Sequence, residues 1–350
     1  MSRLPASQRR QEMKNRSLTI KASILACGLV AAAAASAQEV VLKFATLSSP
    51  TMHLARDVLV PWAERVNVAG KGIVRIEPVF GENLANQANV YSRVQNNVVQ
   101  VAWGLQVMVR GQFPLTDLVA LPFIASKAED SSVALWRLYA SGKLAAEYKD
   151  IVPMALVVFP QYSVHATKPV KSLDDIRGMK VRAGGKVASD IVTALGGAPV
   201  SMSVSDMYQA LSKQTVDATL VQWTAFQPFK LDEVTSHHLD GPFGSSAGMI
   251  FMARKAFDEL PAGARDVIQK NSGEALSREY GAFWDRVQLE ARNRTAGLPR
   301  HTLGVLSAQD AARGAKALSA VTDSWVRDTP GGAEILKAFR EELSRIEARK

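Results

Sequence analysis

The chain has 350 residues, 47% of them hydrophobic, with a formal net charge of +9 and a single cysteine, Cys27. This length provides for two domains of ordinary size. Most of the excess charge lies near the N-terminus, because residues 38–350 contain 36 basic and 32 acidic residues. No basic stripe with interleaved aromatic residues follows, so the sequence lacks the usual pattern of a nucleic-acid-binding protein.

Residues 1–37 have the composition of a secretory signal peptide. Six basic residues and one acidic residue precede an apolar run over residues 22–35. The run is shorter than the roughly 20 apolar residues that a membrane-spanning helix needs. It ends at Ala35-Ser36-Ala37, whose small residues suit signal peptidase, so we predict cleavage before Gln38 and export to the periplasm.

Cys27 allows a second interpretation, in which it is lipid-modified after Ile24-Leu25-Ala26. Leu25 lies where a smaller residue is expected for that modification. Cleavage before Gln38 instead leaves a mature chain without any thiol. Such a chain has no disulfide, thiolate metal site or cysteine nucleophile.

The first part of the mature chain alternates strand-like and helical runs, which is typical of α/β architecture. Strands are predicted at 40–46, 73–80 and 98–105. Between the first two, four apolar residues at four-residue spacing predict a helix with one buried stripe: Leu54, Val58, Trp62 and Val66. Pro61 should kink this helix or break it.

The middle of the chain predicts three parallel strands, at 178–182, 200–203 and 216–222, joined by two helices. Gly196-Gly197 ends the first helix, and residues 203–206 resemble a capping box that opens the second. Parallel sheets place their binding crevice at the carboxyl ends of their strands. Arg182 lies at such an end.

The last hundred or so residues are predicted to be mostly helical. Apolar periodicity from Pro261 to Gly297 predicts one helix of some thirty residues, long enough to brace two lobes. A strand at 301–305 and helices at 308–327 and 333–349 complete the prediction.

One motif offers a catalytic alternative. Residues 244–248, GSSAG, match the nucleophile elbow of a secreted esterase, with Ser246 as the nucleophile. An apolar strand follows where a helix is needed, and His301 is the only later histidine. His237 and His238 are adjacent and have no second ligand cluster, so we interpret them as surface histidines and predict no metal site.

The binding alternative rests on Arg182, whose planar guanidinium matches a carboxylate. A solvated arginine at a strand end remains the competing interpretation. Trp103, Tyr162 and Trp223 follow strand-like runs and are candidates for the walls of a pocket. Taken singly, aromatic residues in such positions are more often part of a core than ligand contacts.

Residues 169–182, PVKSLDDIRGMKVR, resemble the signature of the substrate-binding subunits of tripartite ATP-independent periplasmic (TRAP) transporters, the DctP-like family. The similarity continues through 196–202, 206–211 and 216–217, and upstream through 101–104, 113–116 and 121–123. The resemblance implies that Arg182 anchors a carboxylate.

The resemblance also implies a two-lobed α/β fold of the periplasmic-binding-protein (clamshell) type, with a long helix bracing both lobes. We assign 38–163 and about 250–285 to lobe I, and 164–249 and about 286–350 to lobe II. The implied protein is a non-catalytic monomer without a cofactor. Its implied partners are a small carboxylate ligand and the small and large TRAP membrane subunits; a periplasmic sensor subunit remains an alternative.

Departures from the family pattern bear on the ligand. Many relatives carry glycine and aspartate near Asn97 and Gln100, and many acid-binding relatives carry Glu-Asn where this chain has Leu220-Val221, followed by Gln222 and Trp223. An occasional second arginine near 161–163 is missing. A second buried carboxylate would therefore lack a partner, which predicts a preference for monocarboxylates with an apolar or aromatic body.

Overall fold

The computed structural model describes residues 38–125 and 127–350. The predicted signal peptide, its cleavage site and the alternative lipidation at Cys27 lie outside the described residues. Within the described ranges, no helix is both long and apolar enough to cross a membrane.

The strands occupy short segments along the whole of the described chain: β1 Val40–Ala45, β2 Val74–Val79, β3 Val101–Leu105, β4 Ile151–Val158, β5 Ser163–Ala166, β6 Lys180–Ala183, β7 Ala198–Ser201, β8 Ala218–Val221, β9 His237–Asp240, β10 Ala247–Ala253 and β11 Thr302–Val305.

The α-helices lie between these strands and at the C-terminus: α1 Val60–Ala69, α2 Val90–Gln95, α3 Ala128–Ala140, α4 Lys186–Ala194, α5 Met207–Ser212, α6 Phe226–Phe229, α7 Arg254–Asp258, α8 Ala262–Lys270, α9 Glu274–Ala296, α10 Ala308–Asp328 and α11 Gly332–Glu347. Short 3-10 turns include Gln106–Met108, Thr116–Ala120 and Trp223–Ala225.

Two sheets organise the chain. The first has the strand order β2-β1-β3-β10-β4, and the second has the order β11-β9-β5-β8-β6-β7. The chain passes from the first sheet to the second between β4 and β5, and returns between β9 and β10. In the second sheet β6 pairs in parallel with both β7 and β8, which confirms the three predicted parallel strands.

The predicted capping box at 203–206 is wrong. Ser203 accepts a bond from the backbone of Ser205 and opens a 3-10 turn before α5, with no reciprocal bond from Asp206. A capping box is present instead at Ser172, whose backbone N–H donates to Asp175 at 2.9 Å. Residues 203–206 carry the right residue types, but the hydroxyl of Ser203 is bonded to the backbone and the hydroxyl of Ser205 instead of to Asp206.

The first helix confirms the predicted buried stripe, since Leu54, Val58, Trp62 and Val66 are all at most 5% exposed. The segment Ala55–Leu59 is π-helical and leads directly into α1. Pro61 has no N–H to donate to the preceding turn, so one hydrogen bond of the regular helical pattern is missing there. The helix changes from π to α geometry near this position.

The predicted helix of some thirty residues from Pro261 is two helices, α8 and α9. They are separated at Gly273, which has φ 92° and donates its N–H to the carbonyl of Met154 at 2.7 Å. A residue with this φ cannot continue a right-handed helix. The break therefore shortens the bracing helix to the 23 residues of α9.

Helix α9 contacts elements of both sheets, as the resemblance implied. It packs on α3 and β4 beside the first sheet and on the turn Trp223–Ala225 that follows β8 in the second. Asp285 accepts bonds from the backbone N–H groups of Ala128 and Glu129 at 2.8 and 3.0 Å. Nearer the C-terminal end of the helix, Arg292 forms a 2.6 Å ion pair with Asp240 of β9.

Candidate functional site

Arg182 is buried near the carboxyl end of β6, with 6% of its surface exposed. Its Nε and Nη2 atoms donate to the carbonyl of Met202 at 3.2 and 3.0 Å. In the described part of the chain, this guanidinium forms no ion pair with a carboxylate. Burial lowers the pKa of Arg182 to about 10, which leaves the side chain charged at neutral pH. The charge of Asp206 partly offsets this decrease, but no carboxylate of the described residues forms an ion pair with the guanidinium.

Tyr162 and Gln222 meet at Ser246. The hydroxyl of Tyr162 hydrogen-bonds Ser246, and burial raises the pKa of Tyr162 to about 12 although the charge of Arg182 opposes the increase. Gln222 donates from Nε2 to the hydroxyl of Ser246 at 2.8 Å. The structure thus brings Arg182, Tyr162 and Gln222 into one neighbourhood.

Trp103 and Trp223 occupy other places. The indole N–H of Trp103 donates to the carbonyl of Thr46 in the first sheet. Trp223 is 1% exposed, donates to Asp240 at 2.7 Å and packs on Phe226. Of the five predicted site residues only Tyr162 lines the cavity described next, so the roles of Arg182, Gln222 and the two tryptophans as ligand contacts stay predictions.

A small cavity of about 20 Å³ lies beside Tyr162, at the junction of the two sheets. Its walls come from residues 106–107 after β3, 119–120 of the 3-10 turn, 185–188 at the start of α4, and 245–247 before and within β10. The opposite walls of the cavity lie close together, because a Cβ added to Gly185 would lie 2.5 Å from a methyl group of Val107. This volume holds about one water molecule, so a larger ligand requires the walls to separate.

The cavity contains an acidic residue that the sequence analysis did not identify. Asp117 lies in the turn Thr116–Ala120, and burial together with the charge of Glu147 raises the pKa of its carboxyl group to about 7. Nothing in the local sequence distinguishes Asp117 from a solvated turn residue. Its position depends on contacts between distant segments.

The catalytic alternative finds no support in the geometry. Ser246 accepts its bond from Gln222, and the loop containing it leads into strand β10 instead of a helix. Within the described residues His301 is bonded to His238, and no bond joins it to Ser246. The strand-turn-helix arrangement of a nucleophile elbow is therefore missing from this motif.

His238 is completely buried, so its interpretation as a surface histidine is wrong. It lies between His165 and His301, with ring nitrogens 3.1 and 3.0 Å apart, and His165 Nε2 lies 3.1 Å from the carbonyl of Val221. Since that carbonyl only accepts, His165 carries its proton on Nε2. The unprotonated Nδ1 of His165 then accepts a hydrogen bond from Nδ1 of His238. No cluster of three or more metal-ligating side chains occurs among the described residues.

These buried histidines predict a pH-dependent stability. Burial lowers the pKa of His165 to about 3 and that of His238 to about 2, so both stay neutral in the folded chain while the unfolded chain gains protons below its ordinary pKa of about 6.5. Stability should therefore fall as pH decreases from 6 to 4. His165→Gln should reduce this slope by about 1.4 kcal/mol per pH unit, measured by urea unfolding. Parallel pH profiles for the variant and the wild type would contradict the assignment.

Comparison with known proteins identifies the family. Residues 44–328 match the DctP family model, described as bacterial extracellular solute-binding protein, family 7. The outer membrane transporter protein TsaT of Comamonas testosteroni is 26% identical over 323 residues, which are 89% of this chain and 94% of TsaT.

Solved structures of TRAP solute-binding proteins share the fold. One from a marine metagenome, specific for aromatic acid ligands and co-crystallised with 3-hydroxybenzoate, has 27% identity and a TM-score of 0.82, covering 88% of this chain and 99% of that one. Another, from Rhodoferax ferrireducens T118 with copurified benzoate, has 25% identity and a TM-score of 0.81, covering 87% and 98%. The α/β fold predicted from the resemblance is confirmed. The chain belongs to the DctP family of bacterial extracellular solute-binding proteins and is a substrate-binding protein of the TRAP type.

Proposed function

We propose that this protein captures a small monocarboxylate with an aromatic body and delivers it to TRAP membrane subunits. The observation that carries the proposal is the buried guanidinium of Arg182, which is charged, within electrostatic range of Tyr162 and in no ion pair with a carboxylate of the described chain. Arginine is the side chain best suited to pair with a carboxylate through two parallel hydrogen bonds. The TRAP proteins with bound 3-hydroxybenzoate and benzoate support an aromatic acid as the ligand class.

The start of α4 supports an anionic ligand independently of the arginine. Residues 185–188 form one wall of the cavity, and the first backbone N–H groups of a helix have no partner within the helix. Together with the helix dipole, such groups stabilise a negative charge placed at the helix N-terminus. The start of α4 therefore adds to the positive potential that Arg182 provides for an anion.

Binding proceeds by opening and closing of two lobes. Lobe I comprises 38–163 and about 250–285, and lobe II comprises 164–249 and about 286–350. The passage of the chain between the sheets near residues 160 and 245 supports the first two boundaries, and the third lies within α9. The small volume of the cavity supports a closed arrangement that opens to admit ligand.

The exported form begins at Gln38, after removal of the signal peptide, and acts in the periplasm as a monomer without catalytic activity. Its partners are the small and large subunits of a TRAP permease. Membership in an extracellular solute-binding family supports this location and this role.

A thermal-shift comparison of benzoate with succinate tests the proposed ligand class. A ligand at about 100 times its Kd stabilises the folded protein by about 2.7 kcal/mol, so benzoate should raise the Tm by several degrees. Succinate should leave it nearly unchanged, because its second carboxylate has no partner. An equal increase with succinate would contradict the preference for monocarboxylates.

A further inference from the structure

Asp117, which lines the cavity, and its neighbour Glu147 differ in their hydrogen bonding. Glu147 is satisfied, because its carboxylate accepts bonds from the backbone N–H of Thr116 at 3.1 Å and from its hydroxyl at 2.7 Å. Asp117 lines the cavity, yet within the described ranges its carboxyl group has no hydrogen-bond donor. A largely buried polar group without a partner is unfavourable, and such groups usually find one in a ligand or in water.

Among the described residues that line the cavity, Lys186 is the one cation, and it forms no ion pair with Asp117. Lys186, at the start of α4, lines the same cavity but forms an ion pair with Asp190 at 2.7 Å. The other charged or titratable groups that face Asp117 are Glu147 and Tyr162. The carboxyl group of Asp117 is therefore available to a donor that enters the cavity.

Tyr162 connects this acid to the arginine. The charge of Arg182 lowers the pKa of the Tyr162 hydroxyl and the charge of Asp117 raises it, so both groups lie within electrostatic range of one phenol. A ligand whose carboxylate is bound by Arg182 would extend past Tyr162 toward Asp117. Its far end would then meet a hydrogen-bond acceptor that carries or shares a negative charge.

We propose that Asp117 determines specificity by accepting a hydrogen bond from a hydroxyl or similar donor at the far end of the ligand, and by repelling a second carboxylate there. This inference rests on the proposed function, since it assumes that the ligand's first carboxylate is held at Arg182. It narrows the ligand class to monocarboxylates that carry a distal hydrogen-bond donor.

The test uses three probes with one ring and different meta substituents: benzoate, 3-hydroxybenzoate and benzene-1,3-dicarboxylate. In titration calorimetry at pH 8, the wild type should bind the hydroxyl compound at least about tenfold more tightly than the dicarboxylate, because a charge-assisted hydrogen bond replaces a like-charge contact. Asp117→Asn keeps the shape of the side chain and removes its charge. In this variant the ratio of the affinity for the hydroxyl compound to the affinity for the dicarboxylate should be roughly tenfold smaller than in the wild type.

A pH series in the wild type provides a second measurement that needs no variant. The pKa of Asp117 is raised to about 7, so the carboxyl group is mostly neutral at pH 6 and mostly ionised at pH 8. Discrimination against the dicarboxylate should therefore be weaker at pH 6 than at pH 8. In Asp117→Asn the ratio should be the same at both pH values, which separates Asp117 from Glu147 as the titrating group.

The outcomes distinguish the two proposals. If benzoate binds to the wild type while the probe ratio is unaffected by pH and by Asp117→Asn, the role of Asp117 is wrong and the proposed function stands. If none of the three probes binds to the wild type, the proposed function is wrong, and the role of Asp117 fails with it.

Discussion

Arg182→Ala is expected to weaken the binding of benzoate at least tenfold. Removing one partner of a buried, hydrogen-bonded charge pair costs about 2–5 kcal/mol, and roughly 1.4 kcal/mol corresponds to a factor of ten in Kd. Arg182→Lys should recover little of the loss, because an ammonium group cannot form the two parallel bonds of a guanidinium. Titration calorimetry on the wild type and both variants measures the effect.

Arg177→Ala provides the matched control for this prediction. Arg177 lies five residues upstream in the same segment, but it is exposed, whereas Arg182 is buried. Its removal should leave the affinity for benzoate unchanged. An Arg182→Ala variant that binds benzoate as the wild type does would show that the arginine is not the anchor.

Gly244→Ala should destabilise the folded protein by at least about 3 kcal/mol, combining overpacking with backbone strain. Gly244 has φ 87°, a conformation that favours glycine, and an added Cβ would lie 2.0 Å from the carbonyl oxygen of Ala120. The atom contacted is a backbone oxygen of Ala120, and Ala120 forms part of the cavity wall. Relieving the contact would therefore displace that wall. Urea unfolding at neutral pH measures the loss.

Gly111→Ala separates strain from collision. Gly111 has φ 74°, and no atom lies within 4 Å of the position of an added Cβ. This variant should cost only about 1 kcal/mol, from the unfavourable φ alone. Equal losses in the two variants would mean that the contact with Ala120 contributes nothing.

The parts of the fold that could be predicted from the sequence are those determined locally. Glycine pairs and short apolar runs define β6, α4 and β7, and parallel pairing follows because the connections between these elements are short and helical. Arg182 could be located for the same reason, since it lies near the end of a strand whose limits the sequence marks clearly. The resemblance to a family then supplied the two-lobed arrangement.

The missed features depend on contacts between distant parts of the chain. The break at Gly273 lies in an apolar periodic run, and its hydrogen bond goes to Met154 in a strand more than a hundred residues earlier. His238 is buried because β5 and β9 pair in the second sheet and place it opposite His165. Asp117 faces the cavity only because both sheets contribute to its walls. Periodicity and residue type contain no information on such contacts.

In the most direct test of the central claim, the wild type and Arg182→Ala are each titrated with benzoate and with benzamide, which has the same ring without the charge. If the guanidinium pairs with the carboxylate, replacing benzoate by benzamide should cost the wild type at least about tenfold in affinity and the variant almost nothing. An equal loss in both proteins would contradict an arginine–carboxylate contact.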